Sequence, residues 1–374
     1  MNILYGVVGE GMGHATRSAL IIQHLLDAGH GVRVVVSGRA YGFLAQRFGE
    51  HLRFDLQQIH GLTLAIDGME VDLEETVWEN LEQAPAGLLH NVEAYARVVQ
   101  SGMEPDLVIS DFESFAYLYA RNHFKPVVSI DNMQVLNRCE HPGEIRGDLD
   151  FQLAKLAVKV KLPGAYHYLT TSFFFPEVRK PRTTLVPPIL RPEILAARRE
   201  PGDHVLVYQA PAALEAWLPV LRTLPQRFIV YGVGREGSEG NLELRPFSAS
   251  GFIDDLRTAR AVVAGGGFSL MSEAVHLGVP YFAVPLGQQY EQELNARYLS
   301  WLGYGEWAPE PEPDRLLAFL ASADDHAQAL ERYPRQDNSL TLSCVDELIR
   351  RVALDEPKPD RLDNPGMGCW EGEG

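Results

Sequence analysis

Three groups of residues in this 374-residue chain have types and spacings suited to chemistry. The first is Gly265, Gly266 and Gly267 with Phe268 and Ser269, which follow the apolar run ARAVVA and open a helical pattern. Three glycines remove every Cβ where the chain turns, so a ligand can lie close against the backbone. The amides that start the helix lack partners within it and carry a positive partial charge, which suits a phosphate. Ser269 is placed to cap that helix or to offer its hydroxyl to the same anion. A tight strand–helix turn without a ligand would use the same glycines. Glu273 lies one to two helical turns further on, where a carboxylate can accept both hydroxyls of a ribose whose phosphates sit at the helix start. The alternative is a solvent-facing helix glutamate. Beyond the next strand, Glu291 and Gln292 in the polar stretch Gly287–Asn295 offer acceptors and donors suited to sugar hydroxyls, although an exposed helix start explains them as well.

The second group is GVVGEGMGHATRS, Gly6–Ser18, with glycines at 6, 9, 11 and 13 directly after a strand and His14 opening a helix. Gly11, Met12 and Gly13 form a loop against which a ligand could lie. A free imidazole titrates near pH ~6.5, which makes it the natural general base at neutral pH. A helix N-terminus disfavours the cationic ring and so keeps His14 able to take a proton. A capping or packed histidine is the other reading. The third group is Asp111, ending the strand DLVISD, which parallel strands would bring to the same edge as His14 and which could orient it. Asp131, ending PVVSID, is an alternative partner. Arg17 is read either as a contact to acceptor or phosphate or as a helix-surface arginine.

The elements that must position these groups alternate along the chain. Short apolar, β-branched runs at Asn2–Val8, Val32–Ser37, Asp106–Asp111, Pro126–Asp131 and Tyr166–Ser172 read as strands of a buried parallel sheet, with helices over Ala15–Ala28 and Ser114–His123. Prolines at 176, 181, 187, 188 and 192 mark a linker. A second alternation runs through His204–Gln209, Arg227–Val233, Ala259–Gly267, the helix Ser269–Leu277 and the strand Pro280–Pro285, and closes with helices near Glu291–Trp301, Pro313–Ser322 and Thr341–Leu354. The expected division is a first domain over 1–188, a second over 189–340, a C-terminal helix over 341–355 that could pack back on the first domain, and a flexible tail over 356–374. The fold class is α/β, two Rossmann-like domains whose parallel sheets face each other across a cleft. Ligands of such sheets sit beyond the carboxyl ends of the strands.

Composition narrows the possibilities. With 46% hydrophobic and 22% charged residues, the chain has ordinary globular composition. A net charge of −17 gives no basic surface for a nucleic acid, and it discourages attraction to an anionic membrane. One local exception, Lys155, Lys159 and Lys161, could touch lipid or an anionic acceptor, or could be a solvated helix face. No apolar run nears the ~20 residues that span a bilayer, and no basic leader precedes the first strand, so a cytoplasmic protein is expected. Cys139, Cys344 and Cys369 are too scattered for a structural zinc site or a disulfide framework, and Cys139 beside His141 reads as a loop pair rather than half a metal site. Asp254–Asp255 reads as a helix-start cap, so no metal site is expected. No Walker sequence occurs, and Gly6, Gly9 and Gly11 meet the dinucleotide fingerprint only partly.

The stretch GGGFSLMSEAVHLGVPYFAVPLGQQYEQELNARYL resembles the donor-binding segment of GT-B glycosyltransferases. It is similar to family-28 enzymes such as the N-acetylglucosaminyltransferase that makes lipid II, and to family-1 UDP-glycosyltransferases. The resemblance covers about residues 1–350, is looser between Arg39 and Ser101, and extends to a little-studied family-28-like group of bacteria and archaea. It implies that the glycine loop and Ser269 contact a diphosphate, that Glu273 binds ribose, and that Glu291–Gln292 hold sugar hydroxyls. Phe247 and Ser248 fall where these families bind the base. The resemblance also implies that His14 deprotonates an acceptor hydroxyl with Asp111 as its partner. The pair before Asn295 reads Glu-Gln where these families have Asp-Gln or Gln-Gln, which leaves the sugar open. The activity implied is an inverting, metal-independent transfer from a nucleotide sugar, a UDP-sugar by resemblance, with no cofactor. A nucleotide-sugar 2-epimerase and a non-catalytic nucleotide-sugar binder are the alternatives.

Overall fold

The structure, a computed structural model, describes residues 1–9, 11–61, 66–67, 70–71 and 73–362. The strands are β1 (Asn2–Val7), β2 (Gly31–Val36), β3 (Phe54–Gln58), the two-residue pair β4 (Ile66–Asp67) and β5 (Glu70–Val71), β6 (Leu107–Asp111), β7 (Val127–Asp131), β8 (His167–Thr171) and β9 (Thr183–Val186), then β10 (His204–Tyr208), β11 (Arg227–Tyr231), β12 (Gly237–Glu239), β13 (Leu242–Arg245), β14 (Ala261–Ala264), β15 (Tyr281–Ala283) and β16 (Gly305–Trp307). Between them run α1 (Met12–Asp27), α2 (Ala40–Phe48), α3 (Leu73–Gln100), α4 (Ser114–Asn122), α5 (Val135–Arg138), α6 (Gly143–Arg146), α7 (Leu149–Lys161) and α8 (Pro192–Ala196). The chain continues with α9 (Pro211–Arg222), α10 (Ala249–Thr258), α11 (Phe268–Leu277), α12 (Tyr290–Trp301), α13 (Pro313–Ala321), α14 (Ala323–Leu330) and α15 (Ser339–Ala353).

Two compact units result. The first takes in Met1–Leu64, Leu73–Ile189 and the chain from Gln336 on, and the second Ala65–Asp72 and Leu190–Arg335. In the first, seven strands run in the order β3-β2-β1-β6-β7-β8-β9, every pair parallel. In the second the order is β12-β13-β11-β10-β14-β15-β16, parallel except for the edge pair β12–β13. Strand order reverses beside β1 in one sheet and beside β10 in the other. In such sheets the carboxyl ends at the switch point are where ligands sit. Central strands are buried on both faces, which is why they read as unbroken apolar runs rather than alternating ones.

Several expectations need correcting. The proline-rich stretch contains β9, an edge strand of the first sheet with Pro181 and Pro187 just outside it, where a missing N–H costs least. The expected tail is held as far as Leu362: Thr183 N donates to the Asp360 carbonyl, Leu362 N donates to Thr184 Oγ1, and Leu362 is buried in the first core. Residues 363–374, including Cys369, lie outside the described residues. Helix α15 contributes Cys344, Val345, Leu348 and Ile349 to the core formed by α1, α2 and their strands.

Candidate active site

At the end of β1 the chain turns under tight constraint. A Cβ on Gly6 would stand 2.6 Å from Ala116 Cβ, and one on Gly9 would collide with the Ser37 carbonyl. Gly11 caps α1 at φ 78°, in the left-handed region, with no side-chain cap. His14 therefore sits in the first turn of α1. Register places Asp111 level with Val7, at the carboxyl edge of the sheet.

His14 Nδ1 lies 2.8 Å from Asp111 Oδ1. Arg17, three residues along the same helix, completes the arrangement. Its Nε donates to Asp111 Oδ2 at 2.9 Å, its Nη2 donates to Oδ1, and its Nη1 donates to Asn132 Oδ1 at 2.6 Å. Ser18 Oγ donates to Asp111 Oδ2 at 2.8 Å. Asp111 is fully buried, whereas 21% of the His14 side chain is exposed. Burial pushes the Asp111 carboxyl up, but the Arg17 guanidinium and His14 outweigh it and hold it well below the usual carboxylate range. A permanently ionised Asp111 is therefore available to an imidazole that keeps one side open.

The tautomer matters here. Arg17 Nη2 is also 2.7 Å from His14 Nδ1, and that nitrogen can serve only one of its two neighbours. Donation from Nδ1–H to the carboxylate leaves Nε2 with the lone pair that a base needs. Acceptance from Arg17 would put the proton on Nε2 instead. Arg17 already directs Nη2 at Asp111, and an ionised oxygen is the stronger acceptor, so the first arrangement is favoured. Asp131, the alternative partner, is buried and faces elsewhere: Ser129 Oγ and Gln134 N donate to it. Arg17 is neither a surface residue nor a free ligand contact, since it is 5% exposed. Its spacing of three from His14, one helical face, was the sequence signal for it. Ser18 and Asn132 carried no comparable signal.

In the second unit, β14 runs into the glycine loop and α11 begins at Phe268. The cap residue is Gly267, at φ −65° and ψ 129°, and no side chain caps the helix. Ser269 is thus already inside the helix and does not cap it, because the chain enters helical geometry two residues too early for that. The three glycines differ in what requires them. A Cβ on Gly265 would stand 2.8 Å from Gln209 Nε2, and one on Gly266 would collide with the Gln292 carbonyl, whereas one on Gly267 would meet open space. Packing explains the first two, and only the third faces room for a ligand.

Gln292 turns toward this loop. Its Oε1 accepts from Gly266 N and Leu286 N, both at 3.1 Å, and its Nε2 donates to Gln289 Oε1 at 2.6 Å. Asn295 Nδ2 donates to the Gly266 carbonyl at 3.0 Å and to Glu291 Oε1 at 2.6 Å. The pair expected to hold a sugar is therefore tied to the glycine loop. Glu273 does not face solvent. It is 7% exposed and paired two-for-two with Arg191, Nε to Oε1 at 2.7 Å and Nη2 to Oε2 at 2.6 Å. Burial pushes the Glu273 carboxyl up against the pull of Arg191. Sequence reading missed Arg191, which lies within the proline stretch, just before Pro192, and has no motif of its own.

Phe247, after the end of β13, is 68% exposed, and Ser248 caps α10 by accepting from Gly251 N. Asp254 and Asp255 lie inside α10 rather than at its start. Asp255 accepts from Tyr231 Oη and pairs with Arg245, and Asp254 pairs with Arg257. Cys139 is buried, its thiol pushed up to about 12 by that burial, and His141 Nε2 lies 3.0 Å from the Val135 carbonyl. A cavity of about 500 Å³ lined by Met1, Gly31 and Asp106 opens at the amino ends of β1 and β2, the edge opposite His14.

The sequence pattern of the family described as Glycosyl transferase family 1 matches residues 1–323. The chain belongs to that family. This glycosyltransferase is 23% identical over 343 residues to an uncharacterized glycosyltransferase of Methanosarcina acetivorans, covering 85% of this chain and 88% of the relative. It is 24% identical over 337 residues to the NDP-glycosyltransferase YjiC of Bacillus subtilis, covering 80% and 83%. Among solved structures it is similar to a UDP-glucosyltransferase from Polygonum tinctorium, with TM-score 0.65, 15% identity and 94% and 98% of the two chains covered. It is also similar to the calicheamicin glycosyltransferase CalG4, with TM-score 0.61, 17% identity and 94% and 99% covered. Those likenesses show the GT-B fold of the glycosyltransferase. Among its described residues no helix is long and apolar enough to cross a membrane.

Proposed function

We propose that this glycosyltransferase inverts the anomeric centre of a nucleotide sugar, with UDP as the carrier, and transfers the sugar to an acceptor hydroxyl without a metal ion. The observation that carries the reading is the buried, ionised Asp111 held against Nδ1 of a half-open His14 and clamped by Arg17. His14 Nε2 takes the acceptor proton as the acceptor oxygen bonds to the anomeric carbon. The bond from that carbon to the diphosphate breaks, and its electron pair leaves on the diphosphate oxygen. One displacement gives one inversion. Asp111 balances the imidazolium that forms.

The departing diphosphate gains charge, and the uncapped start of α11 beside Gly267 supplies positive partial charge that needs no reorganisation. Glu273 remains the acceptor for ribose hydroxyls, since each of its oxygens keeps a lone pair beyond the one used by Arg191. The choice of a UDP-sugar rests on the sequence resemblance and on the name of the Polygonum relative. A cytoplasmic location is part of the same proposal. The net charge of −17 argues against a nucleic-acid partner.

The test is a thermal-shift screen of nucleotide sugars followed by NMR of the product. A ligand at ~100 times its Kd stabilises by ~2.7 kcal/mol, so the right donor stands out. UDP-sugars should raise the melting temperature, and the product should carry the opposite anomeric configuration. A product of retained configuration would overturn the mechanism. Turnover of the donor with no acceptor would favour the epimerase.

A further inference from the structure

Helix α7 is apolar on two opposite faces. Phe151 and Val158 point into the first unit and are buried. Leu149, Leu153, Leu156 and Val160 fall at i, i+4, i+7 and i+11, one narrow stripe, and are 71%, 57%, 55% and 67% exposed. An apolar helix face is normally covered by its own fold, yet each of these four side chains stays more than half exposed. Scattered exposed apolar side chains need no explanation, but four in helical register on one short helix do.

The surface beside the stripe is cationic. Lys155 and Lys159 lie on one flank of α7, and the Lys180 ammonium is pushed down by burial and then by Arg138, Lys155, Lys159 and Arg179. Arg138 is itself buried, which leaves four of these cations for the surface, while Asp148 and Asp150 put carboxylates at the first turn of the helix. Arg179 is partly offset by Glu140, and Lys180 donates to Asn137. In a chain of net charge −17, this cluster is a local reversal of sign. It acts at short range, because salt screens the remote acidic groups beyond ~8 Å.

We propose that α7 docks this protein on a bilayer containing anionic phospholipid. The four apolar side chains enter the headgroup–acyl boundary, and Lys155 and Lys159 reach the phosphates beside them. Charge complementarity decides between occupants. A second copy meeting the stripe about a two-fold axis would bring the same cations face to face, and four side chains supply far less than the ~800 Å² per partner of a stable dimer. An anionic lipid surface satisfies both the stripe and the lysines. The proposal is independent of the reaction assigned above.

Flotation of the purified full chain with vesicles tests it. The protein should float with phosphatidylcholine–phosphatidylglycerol vesicles and much less with phosphatidylcholine alone, and added salt should weaken the binding. Leu153→Glu with Leu156→Glu should abolish flotation. Lys155→Glu with Lys159→Glu should lower partitioning about 30-fold or more, from roughly fivefold per lysine. Leu153, Leu156 and Lys159 lie on the exposed side of α7 and Lys155 is half-buried over the Phe151 ring, so unchanged circular dichroism and melting temperature are required of the variants as the sign that they fold. No flotation with anionic vesicles would overturn the proposal, and so would flotation that folded variants of both kinds retain. A homodimer that the leucine variant dissolves, without any vesicle binding, would assign the stripe to a second copy instead.

Discussion

His14, Asp111 and Arg17 form a chain of dependence in which each residue sets the state of the next. Replacing His14 with Ala removes the base but no packing that the nucleotide needs, so kcat should fall about 10²–10⁴-fold with donor affinity nearly unchanged. Arg17→Met leaves the fully buried Asp111 carboxylate without its cation, with only Ser18 and His14 as partners, and removing one partner of a buried ion pair costs about 3–5 kcal/mol. A denaturant titration should show that loss, and an unchanged midpoint would mean that the Arg17 clamp is energetically idle. The pH dependence has a definite sign. The folded pKa of Asp111 is depressed, so its contribution to stability is complete above its unfolded value of ~3.9 and is lost as pH falls through the folded value. Urea midpoints should therefore decline below about pH 4, where Asp111 of the unfolded chain takes up a proton that the folded protein still excludes. Glu273→Ala should raise the donor KM with a modest loss of kcat, read from initial rates, and equal losses in both would point to a structural role alone. His14 and Asp111 were legible in the sequence because one stands at a helix start and the other at a strand end, and the fold brings them together. Glu273, in the middle of α11, was singled out only by its spacing from the glycine loop. Arg191 was not legible, because its partner lies 82 residues away and only folding brings the two together.

Turns and caps separate what packing needs from what a ligand needs. Gly266→Ala would drive a Cβ into the Gln292 backbone and should destabilise the second unit. Gly267→Ala meets open space at an ordinary φ, so the melting temperature should hold while donor KM rises. If both variants lose stability and neither affects the donor, the loop is only a turn. The central strands β1, β6, β10 and β14 were readable from apolar composition, since burial on both faces leaves one pattern. Edge strands were harder. β9 hid among prolines and β12 is three residues long, because an edge strand needs neither continuous apolarity nor every N–H. Ser269 was misplaced as a cap by two residues, which is the scale at which helix ends resist reading.

The chain as a whole returns to its first unit at the end. Cys344, Val345, Leu348, Ile349 and Leu362 sit in a core otherwise built from residues before Ile189. Truncation after Arg335 should therefore unfold the first unit cooperatively, seen as loss of its melting transition, while the second unit keeps its own. Survival of both transitions would show that the C-terminal segment merely covers a finished core. The α/β class and the two-part division followed from alternating periodicity. The tail did not, because its hold on β9 and on Tyr166 and His167 uses backbone groups that composition does not display.

The most direct test of the central claim, that a His14 oriented by Asp111 deprotonates the acceptor, compares steady-state transfer by the wild-type enzyme and His14→Ala with the donor and acceptor found by screening. The account predicts a fall in kcat of about 10²–10⁴-fold with UDP affinity within a factor of about two. A His14→Ala enzyme that transfers sugar at the full rate would contradict it.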